Sequence, residues 1–279
     1  MTLLEVLQKS TDYLAKRKID NPRLNAEHLL GHALGKTRME LYLEFEQPLV
    51  EAQLTPLREL LRRRGEGEPL QHLLGTVEFC GQSFLCDKRA MVPRPETEEL
   101  VELIIADGGN RRPDRILDVG TGSGVIALSL AKKFADAVII AVDVSSEAIA
   151  LAKENAARVG LGGRIQLLGS DLLAAVDGTF DLIVANLPYV STQDRQSLSR
   201  EVLHDPEVAL FGGERGDELI RRLIDEAPAH LEPGGLLALE IGIGHAAPLL
   251  ELMAQKKYHD IAAKNDYSGG TRFLFARYG

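Results

Sequence analysis

The pattern of apolar and polar residues changes its period along the chain. In residues 1–75 the apolar side chains recur at helical spacing, with charged residues between them, as in the stripe Leu3, Leu4, Val6, Leu7, Leu14 and Ala15. From about residue 115, short apolar runs alternate with longer amphipathic segments. A 3.6-residue period is typical of helices with one buried face, and short apolar runs are typical of buried parallel strands. The pattern therefore predicts a helical region followed by an α/β domain.

The helical region divides at recognisable start and stop signals. Asn21-Pro22 ends the first helix and opens a second, which Gly35 closes, and residues 38–45 and 49–64 supply two further helical segments. His28 and His32 are spaced by one helical turn, but without a third ligand nearby they favour a helix surface over a metal site. We interpret residues 1–74 as a small helical bundle for substrate recognition or support.

Residues 75–90 predict a β-hairpin that links this bundle to a larger domain at 91–279. Apolar residues flank the turn Cys80-Gly81-Gln82, as expected for two short strands. After the hairpin, Arg94 lies between Pro93 and Pro95, ahead of an acidic helix start. An arginine on so stiff a segment could contact a carboxylate on the substrate or on a neighbouring loop.

The larger domain shows strands alternating with helices, the pattern of a Rossmann-like sheet. The predicted helices are residues 125–133, 147–159, 217–231 and 245–255. The predicted strands are residues 116–119, 138–142, 165–168, 182–185, 235–241, 258–264 and 272–276.

A glycine-rich turn follows the first strand of this domain. It reads Gly120-Thr121-Gly122-Ser123-Gly124 and precedes a predicted helix. Glycines there let a ligand approach the backbone, and the start of the helix presents free N–H groups. The spacing differs from the dinucleotide fingerprint, and the Gly-Lys-Ser/Thr ending of a nucleotide-hydrolysing P-loop is absent from the sequence.

Acidic residues follow the next two strands. Asp143 ends the second strand about twenty residues after the glycine turn, where a carboxylate can accept both hydroxyls of a ribose. Asp171 follows the third strand and can accept from an exocyclic amine, while Leu172 can cover a purine face. Together with the glycine turn, these residues predict a site for an adenosine-type ligand across the strand ends.

The fourth strand ends in Asn186-Leu187-Pro188-Tyr189. A buried apolar run changes there to an amide side chain, a backbone carbonyl and an aromatic ring. Ligands of open α/β sheets bind at the carboxyl ends of strands. We therefore expect the reactive end of the ligand to lie near Asn186. Residues 191–213 are acidic and glycine-rich, and we interpret them as an ordered flap over the site.

Composition limits the classes of function. The 279 residues carry a formal charge of −9, which argues against a protein built to grip a phosphate backbone. The two cysteines are too few for a disulfide framework or a zinc site, and we expect no metal. Without a signal-like start or a run of about 18 apolar residues, we expect a soluble, cytoplasmic protein, and we further expect a monomer.

With these motifs together, the chain resembles the class I S-adenosylmethionine-dependent methyltransferases, and more closely the HemK-type protein-(glutamine N(5)) methyltransferases. The resemblance covers nearly the whole chain. Its specific parts are residues 69–75 with Glu78-Phe79, Pro93-Arg94-Pro95-Glu96-Thr97-Glu98, residues 118–124, the Asn186 tetrad and Leu239-Glu240-Ile241-Gly242. It implies a seven-stranded sheet, S-adenosylmethionine as cofactor, S-adenosylhomocysteine as product, and peptide chain release factors as protein substrates.

One position departs from the family pattern and keeps an alternative open. The family tetrad is Asn-Pro-Pro-Tyr, whereas residue 187 is leucine, as in enzymes similar to ribosomal RNA adenine dimethyltransferases. Those enzymes carry their helical domain after the catalytic domain, whereas here it comes first. The leucine at residue 187 nevertheless keeps one alternative open, the methylation of adenine in RNA or DNA. By the closer resemblance, Asn186 to Tyr189 form the catalytic site, and the glycine turn with Asp143, Asp171, Leu172 and Asn186 binds the cofactor.

Overall fold

The computed structural model describes residues 1–107 and 112–279. The chain divides into two units. The first comprises Met1–Val77 and Ser199–His204, and the second comprises Glu78–Leu198 and Asp205–Gly279. The boundary near residue 77 falls within the predicted hairpin. The inclusion of Ser199–His204 in the first unit is not foreseen from the sequence, which places these residues in the flap.

The first unit is helical and has its own core. Its helices are α1 (Leu3–Lys16), α2 (Pro22–Leu34), α3 (Arg38–Leu43), α4 (Glu51–Gly65) and α5 (Leu70–Leu74). Thr2 caps α1 by accepting from Glu5 N, and Gly35 ends α2 in the left-handed conformation. The helices bury a leucine-rich cluster that includes Leu3, Leu29 and Leu57.

Arg64 is a buried cation within this unit. Its Nε donates to Asn25 Oδ1 at 2.7 Å, and its Nη2 lies 2.6 Å from Glu201 Oε2. The Arg200 guanidinium donates to the Arg17 carbonyl at 2.9 Å. These contacts give a physical reason why Ser199–His204 belongs to the helical unit.

A hairpin of β1 (Thr76–Phe79) and β2 (Gln82–Leu85) follows, as predicted. Its turn needs left-handed backbone, with φ of +47° at Cys80 and +67° at Gly81. The remaining elements are α6 (Pro95–Asp107), β3 (Arg115–Val119), α7 (Val125–Lys133), β4 (Val138–Asp143), α8 (Ser146–Arg158), β5 (Ile165–Gly169), β6 (Phe180–Asn186), β7 (Val190–Ser191), α9 (Glu207–Leu210), β8 (Phe211–Gly213), α10 (Glu218–Glu226), β9 (Leu231–Glu240), α11 (Ala246–Ala254), β10 (Tyr258–Asn265) and β11 (Thr271–Tyr278).

The second unit is organised around a seven-stranded sheet of order β10-β11-β9-β6-β3-β4-β5. Strands β9, β6, β3, β4 and β5 pair in parallel, whereas β11 is antiparallel to both β9 and β10. The carboxyl ends of the parallel strands therefore share one edge, with β6 between β3 and β9. The parallel register places Asn186 of β6 opposite Glu240 of β9.

The Rossmann-like α/β fold with seven strands is confirmed, and two predicted boundaries are wrong. The helix predicted at 217–231 ends at Glu226 and continues only as the 3-10 turn Ala227–Ala229, which contains Pro228. Strand β9 begins at Leu231 rather than at residue 235, because it already pairs with β6 through Phe180 and Leu231. Across the described ranges, every helix is too short or too polar to cross a bilayer.

Candidate active site

A cavity of about 270 Å³ lies at the carboxyl ends of β3, β4 and β6, within the second unit. Most of the residues predicted for the site line it together: Gly120, Thr121, Gly122, Ser123, Asp143, Asp171, Leu172, Asn186, Leu187 and Pro188. Gly124 and Tyr189 are not part of the lining. Gly124 precedes α7, and Tyr189 is half-buried against the core.

The glycine turn is held by backbone bonds and by a buried acid. The N–H groups of Gly120 and Thr121 both donate to the Val142 carbonyl at 2.9 Å. Asp118 Oδ2 accepts from the Thr121 hydroxyl at 2.6 Å and from Ala127 N at 3.1 Å. Burial raises the pKa of Asp118 to about 7. Asp118 thus fixes the turn to the start of α7.

Gly120 also contacts the end of β6. Its φ is +73°, and a Cβ at this position would lie 2.9 Å from Leu187 Cδ2. The backbone conformation favours a glycine here, and the leucine methyl group would have to shift to make room for a Cβ. This contact joins the glycine turn to the Asn186 tetrad.

Asp143 lies at the end of β4 with its carboxylate turned to the glycine turn. Oδ2 accepts from Gly122 N and Oδ1 from Ser145 N, each at 2.8 Å. Burial raises the pKa of Asp143, while these backbone bonds oppose the rise. A carboxylate offers about four acceptor sites, so these backbone bonds leave Asp143 with capacity to accept from a ligand hydroxyl.

The residues that follow β5 also line the cavity. Leu172 is buried and takes the left-handed conformation, with φ of +47°. The Asp171 carboxylate lies 3.2 Å from Arg222 Nη1, and its side chain is 61% exposed. An exposed ion pair of this kind is weakly held, so a ligand amine can compete for Asp171.

Asn186 takes part in a buried polar chain that the sequence did not reveal. Its Nδ2 donates to Thr97 Oγ1 at 3.0 Å, and the Thr97 hydroxyl donates to Glu240 Oε2 at 2.7 Å. Asn186 Oδ1 is buried and finds no hydrogen-bond partner among the described residues. The amide oxygen therefore remains as an acceptor at a residue that lines the cavity.

The rest of the tetrad is supported by a glycine-rich loop. Leu187 is buried, and Tyr189 packs on the core, where burial raises its pKa to about 12. A Cβ at Gly212 would collide with the carbonyl oxygen of Pro188, and a Cβ at Gly216 would lie 2.5 Å from that of Tyr189. The loop thus packs directly on the backbone of the tetrad.

Arg94 contacts the flap, one of the two roles considered from the sequence. Its Nη2 lies 2.6 Å from Asp205 Oδ2, and Val92 N donates to Asp205 Oδ1 at 3.1 Å. The neighbouring residues Pro93 and Pro206 both line the cavity. This pair therefore holds two walls of the cavity together.

The donor and acceptor set fits an adenosine-type cofactor. Glycine backbone, two acids after successive strands and an apolar side chain converge on one cavity, and a buried amide oxygen is left for a further ligand. The shape and the polar groups are those expected of a small-molecule site at the strand ends of an α/β sheet.

Two family models match the chain. Residues 5–75 match the PrmC N-terminal domain, and residues 97–215 match the methyltransferase small domain. Among solved structures, the ribosomal protein L11 methylase from Lactobacillus delbrueckii subsp. bulgaricus is 27% identical with a TM-score of 0.51, and the match covers 67% of this chain and 81% of that chain.

Curated relatives match over the whole length. The release factor glutamine methyltransferase of Geobacter sulfurreducens is 40% identical over 282 residues, which cover 100% of this chain and 97% of that protein. That of Deinococcus radiodurans is 39% identical over 277 residues and covers 99% of each. By its fold, its site and these relatives, the chain belongs to the release factor glutamine methyltransferase family.

Proposed function

We propose that this protein transfers a methyl group from S-adenosylmethionine to the side-chain amide nitrogen of the glutamine in the Gly-Gly-Gln motif of peptide chain release factors. The observation that carries the proposal is the buried Asn186 Oδ1, an acceptor without a partner among the described residues, on a residue that lines the cofactor-type cavity. Family membership supports the same substrate, since the relatives are named for it.

The cofactor would be held by the glycine turn and by the acids after the strands. We assign Gly120, Thr121, Gly122, Ser123 and Gly124 to the backbone that surrounds it. When bound, S-adenosylmethionine supplies a methyl group on a positively charged sulfur.

The two carboxylates would recognise the nucleoside part of the cofactor. We assign Asp143 to the ribose hydroxyls, Asp171 to the adenine amine and Leu172 to the adenine face. Asp143→Ala should weaken S-adenosylmethionine and S-adenosylhomocysteine alike, by roughly 2–3 kcal/mol for a lost pair of charge-assisted hydrogen bonds. Calorimetric titration with either ligand measures this, and unchanged binding would remove Asp143 from the ribose site.

The acceptor amide is a poor nucleophile, because its nitrogen lone pair is delocalised into the carbonyl. We assign Asn186 Oδ1 and the Leu187 backbone carbonyl to accept its two N–H bonds and to fix the direction of the lone pair. As the new bond forms, the nitrogen becomes positive, so both acceptors bind the transition state more tightly than the ground state. Pro188 and Tyr189 hold the turn. Because the acceptor at 187 is backbone, leucine can replace the family proline there.

We further propose that the protein acts as a cytoplasmic monomer, and that direct nucleic-acid binding is not part of its function. The formal charge of −9 supports the latter. We assign residues 1–74 to recognition of the body of the release factor and residues 75–90 to the link between domains. A folded factor should then have a lower KM than a short Gly-Gly-Gln peptide, because remote contacts supply binding energy.

The test offers tritiated methyl donor in parallel to five acceptors. These are a folded release factor, the same factor with its loop glutamine changed, a Gly-Gly-Gln peptide, ribosomal RNA and duplex DNA. We expect label on the folded factor and, at higher KM, on the peptide. Label on nucleic acid, or equal label on the factor without the glutamine, would favour adenine methylation or another acceptor instead.

A further inference from the structure

Three polar side chains from separate elements form one buried chain behind the acceptor site. Asn186 ends β6, Thr97 lies in the first turn of α6, and Glu240 ends β9. Thr97 is 3% exposed and Glu240 is 1% exposed. Because Asn186 and Glu240 are partners in the parallel register of β6 and β9, their side chains lie on the same face of the sheet.

The two hydrogen bonds that join these three side chains each have a fixed donor and a fixed acceptor. An ionised carboxylate only accepts, so the Thr97 hydroxyl must donate its single proton to Glu240. The Thr97 oxygen is then left to accept, and the Asn186 NH₂ donates to it. The amide oxygen of Asn186 consequently faces away from Thr97. Without the carboxylate, the two ends of this nearly symmetric amide would compete for the same place.

We propose that Thr97 and Glu240 are positioning residues that hold the Asn186 amide with its oxygen toward the acceptor, so that the site selects a substrate nitrogen that carries N–H bonds. The role rests on the proposed function, because it needs Asn186 to accept from the substrate. A flipped Asn186 would present NH₂ to an N–H donor and repel it.

A purely structural role gives a weaker account of the buried acid. Removing a carboxylate from water is costly unless it is paired and fully hydrogen-bonded, and apolar replacements are often neutral or stabilising. Glu240 is held mainly by the Thr97 hydroxyl and the Arg272 charge of β11, whereas Glu96 of α6 acts against it. The chain of three polar groups instead fixes one orientation at the reacting centre.

Protonation of Glu240 should abolish the fixed orientation of the Asn186 amide. Burial raises the pKa of Glu240 to about 7, opposed by Thr97, Arg272 and Asn186 and reinforced by Glu96. Tyr189 also lies close enough to Glu240 to interact with its charge. Burial and this charge raise the pKa of the Tyr189 phenol to about 12, so the phenol stays neutral below that pH. A protonated Glu240 can donate to Thr97, which frees the Thr97 hydroxyl to donate to a flipped Asn186. Turnover should therefore rise with pH through about 7.

The first test compares Thr97→Val with Thr97→Ser. Valine keeps the shape and removes the hydroxyl, whereas serine keeps the hydroxyl. We expect Thr97→Val to lower kcat at least about tenfold with cofactor affinity within about twofold, and Thr97→Ser to recover most of the rate. Tyr258→Phe, which removes a buried hydroxyl that donates to Ile224 O away from the cavity, is the matched control and should leave kcat unchanged.

A double-variant cycle separates positioning from folding. In single-turnover assays, adding Thr97→Val to Asn186→Ala should have no further effect, because Thr97 acts through the Asn186 amide. The pH profile supplies a second measurement. The acid limb of kcat near pH 7 should be present in the wild type and absent in Glu240→Gln.

Three outcomes would overturn the positioning role. They are wild-type kcat in Thr97→Val, multiplicative effects of Thr97→Val and Asn186→Ala, and an unchanged acid limb in Glu240→Gln. Failure of the proposed function is seen separately in the acceptor panel. If label were found on adenine while Thr97→Val still lowered kcat, the release-factor proposal would fail and the positioning role would remain, since an adenine amine also carries N–H bonds.

Discussion

The Arg94–Asp205 ion pair should be a main support of the cavity, and Arg94→Ala tests this. The Asp205 side chain is 0% exposed and the Arg94 side chain is 29% exposed, with a separation of 2.6 Å between Nη2 and Oδ2. Asp205 Oδ1 also accepts from Val92 N. Loss of the guanidinium removes the Arg94 bond from a buried carboxylate, on the segment that carries Pro206 into the cavity wall.

The expected size of the effect follows from this burial. Removing one partner of a buried ion pair costs about 3–5 kcal/mol, and the partial exposure of Arg94 favours the lower end, about 3 kcal/mol. At about 2–4 °C per kcal/mol, the thermal midpoint of the unit should fall by roughly 6–12 °C. Cofactor affinity should fall as well, because the wall on which the ligand packs is less well held.

Thermal unfolding and calorimetric titration with S-adenosylhomocysteine measure both effects. Arg58→Ala is the matched control, since Arg58 and its partner Glu51 are 57% and 70% exposed. An exposed pair contributes at most about 1 kcal/mol. If Arg94→Ala were no more destabilising than Arg58→Ala, the assignment of the pair as a support of the cavity would be refuted.

Three further predictions concern the site itself. Asn186→Ala should lower kcat by on the order of 10²-fold with little change in cofactor affinity, and near-wild-type turnover would exclude Asn186 as an acceptor. Gly212→Ala should lower kcat by about 10²-fold by displacing the Pro188 carbonyl, whereas Gly163→Ala, where a Cβ meets open space, should not; equal rates would contradict the packing. The pKa of Asp118 is raised from 3.8 to about 7, so the free energy of unfolding should fall as pH rises from about 4 to 7. In Asp118→Asn, denaturant titrations at several pH values should show a smaller fall in the free energy of unfolding. An unaltered fall would mean that other groups cause it.

The elements of the sheet could be predicted closely because their signal is local. The run predicted at 116–119 is β3 (Arg115–Val119), and the helix predicted at 125–133 is α7. Asn186, Asp143 and the glycine turn could also be placed together, since parallel strands bring their carboxyl ends to one edge. One error occurs where tertiary pairing extends an element beyond its own apolar run, as in β9, and the other where Pro228 follows the early end of the helix predicted at 217–231.

The support behind the site could not be predicted, because its members are distant in sequence. Thr97 lies 89 positions from Asn186 and 143 positions from Glu240. The strand register brings Asn186 and Glu240 together, and the packing of α6 against the sheet adds Thr97. The sequence does give one indication of this support. Glu240 is a charged residue at the end of an apolar strand, and a buried charge at such a place needs a hydrogen-bond partner. The bond between Arg64 and Glu201 is equally hidden, with 137 positions between them.

The contact between Gly120 and Leu187 has a thermodynamic consequence. Gly120 belongs to the turn assigned to the cofactor, Leu187 carries the carbonyl assigned to the acceptor, and the Leu187 side chain packs over Gly120. Occupancy of the two subsites should then be linked, and linkage is reciprocal: the factor by which bound cofactor tightens the acceptor equals the factor by which bound acceptor tightens the cofactor. The leucine that departs from the family pattern would set the strength of this coupling.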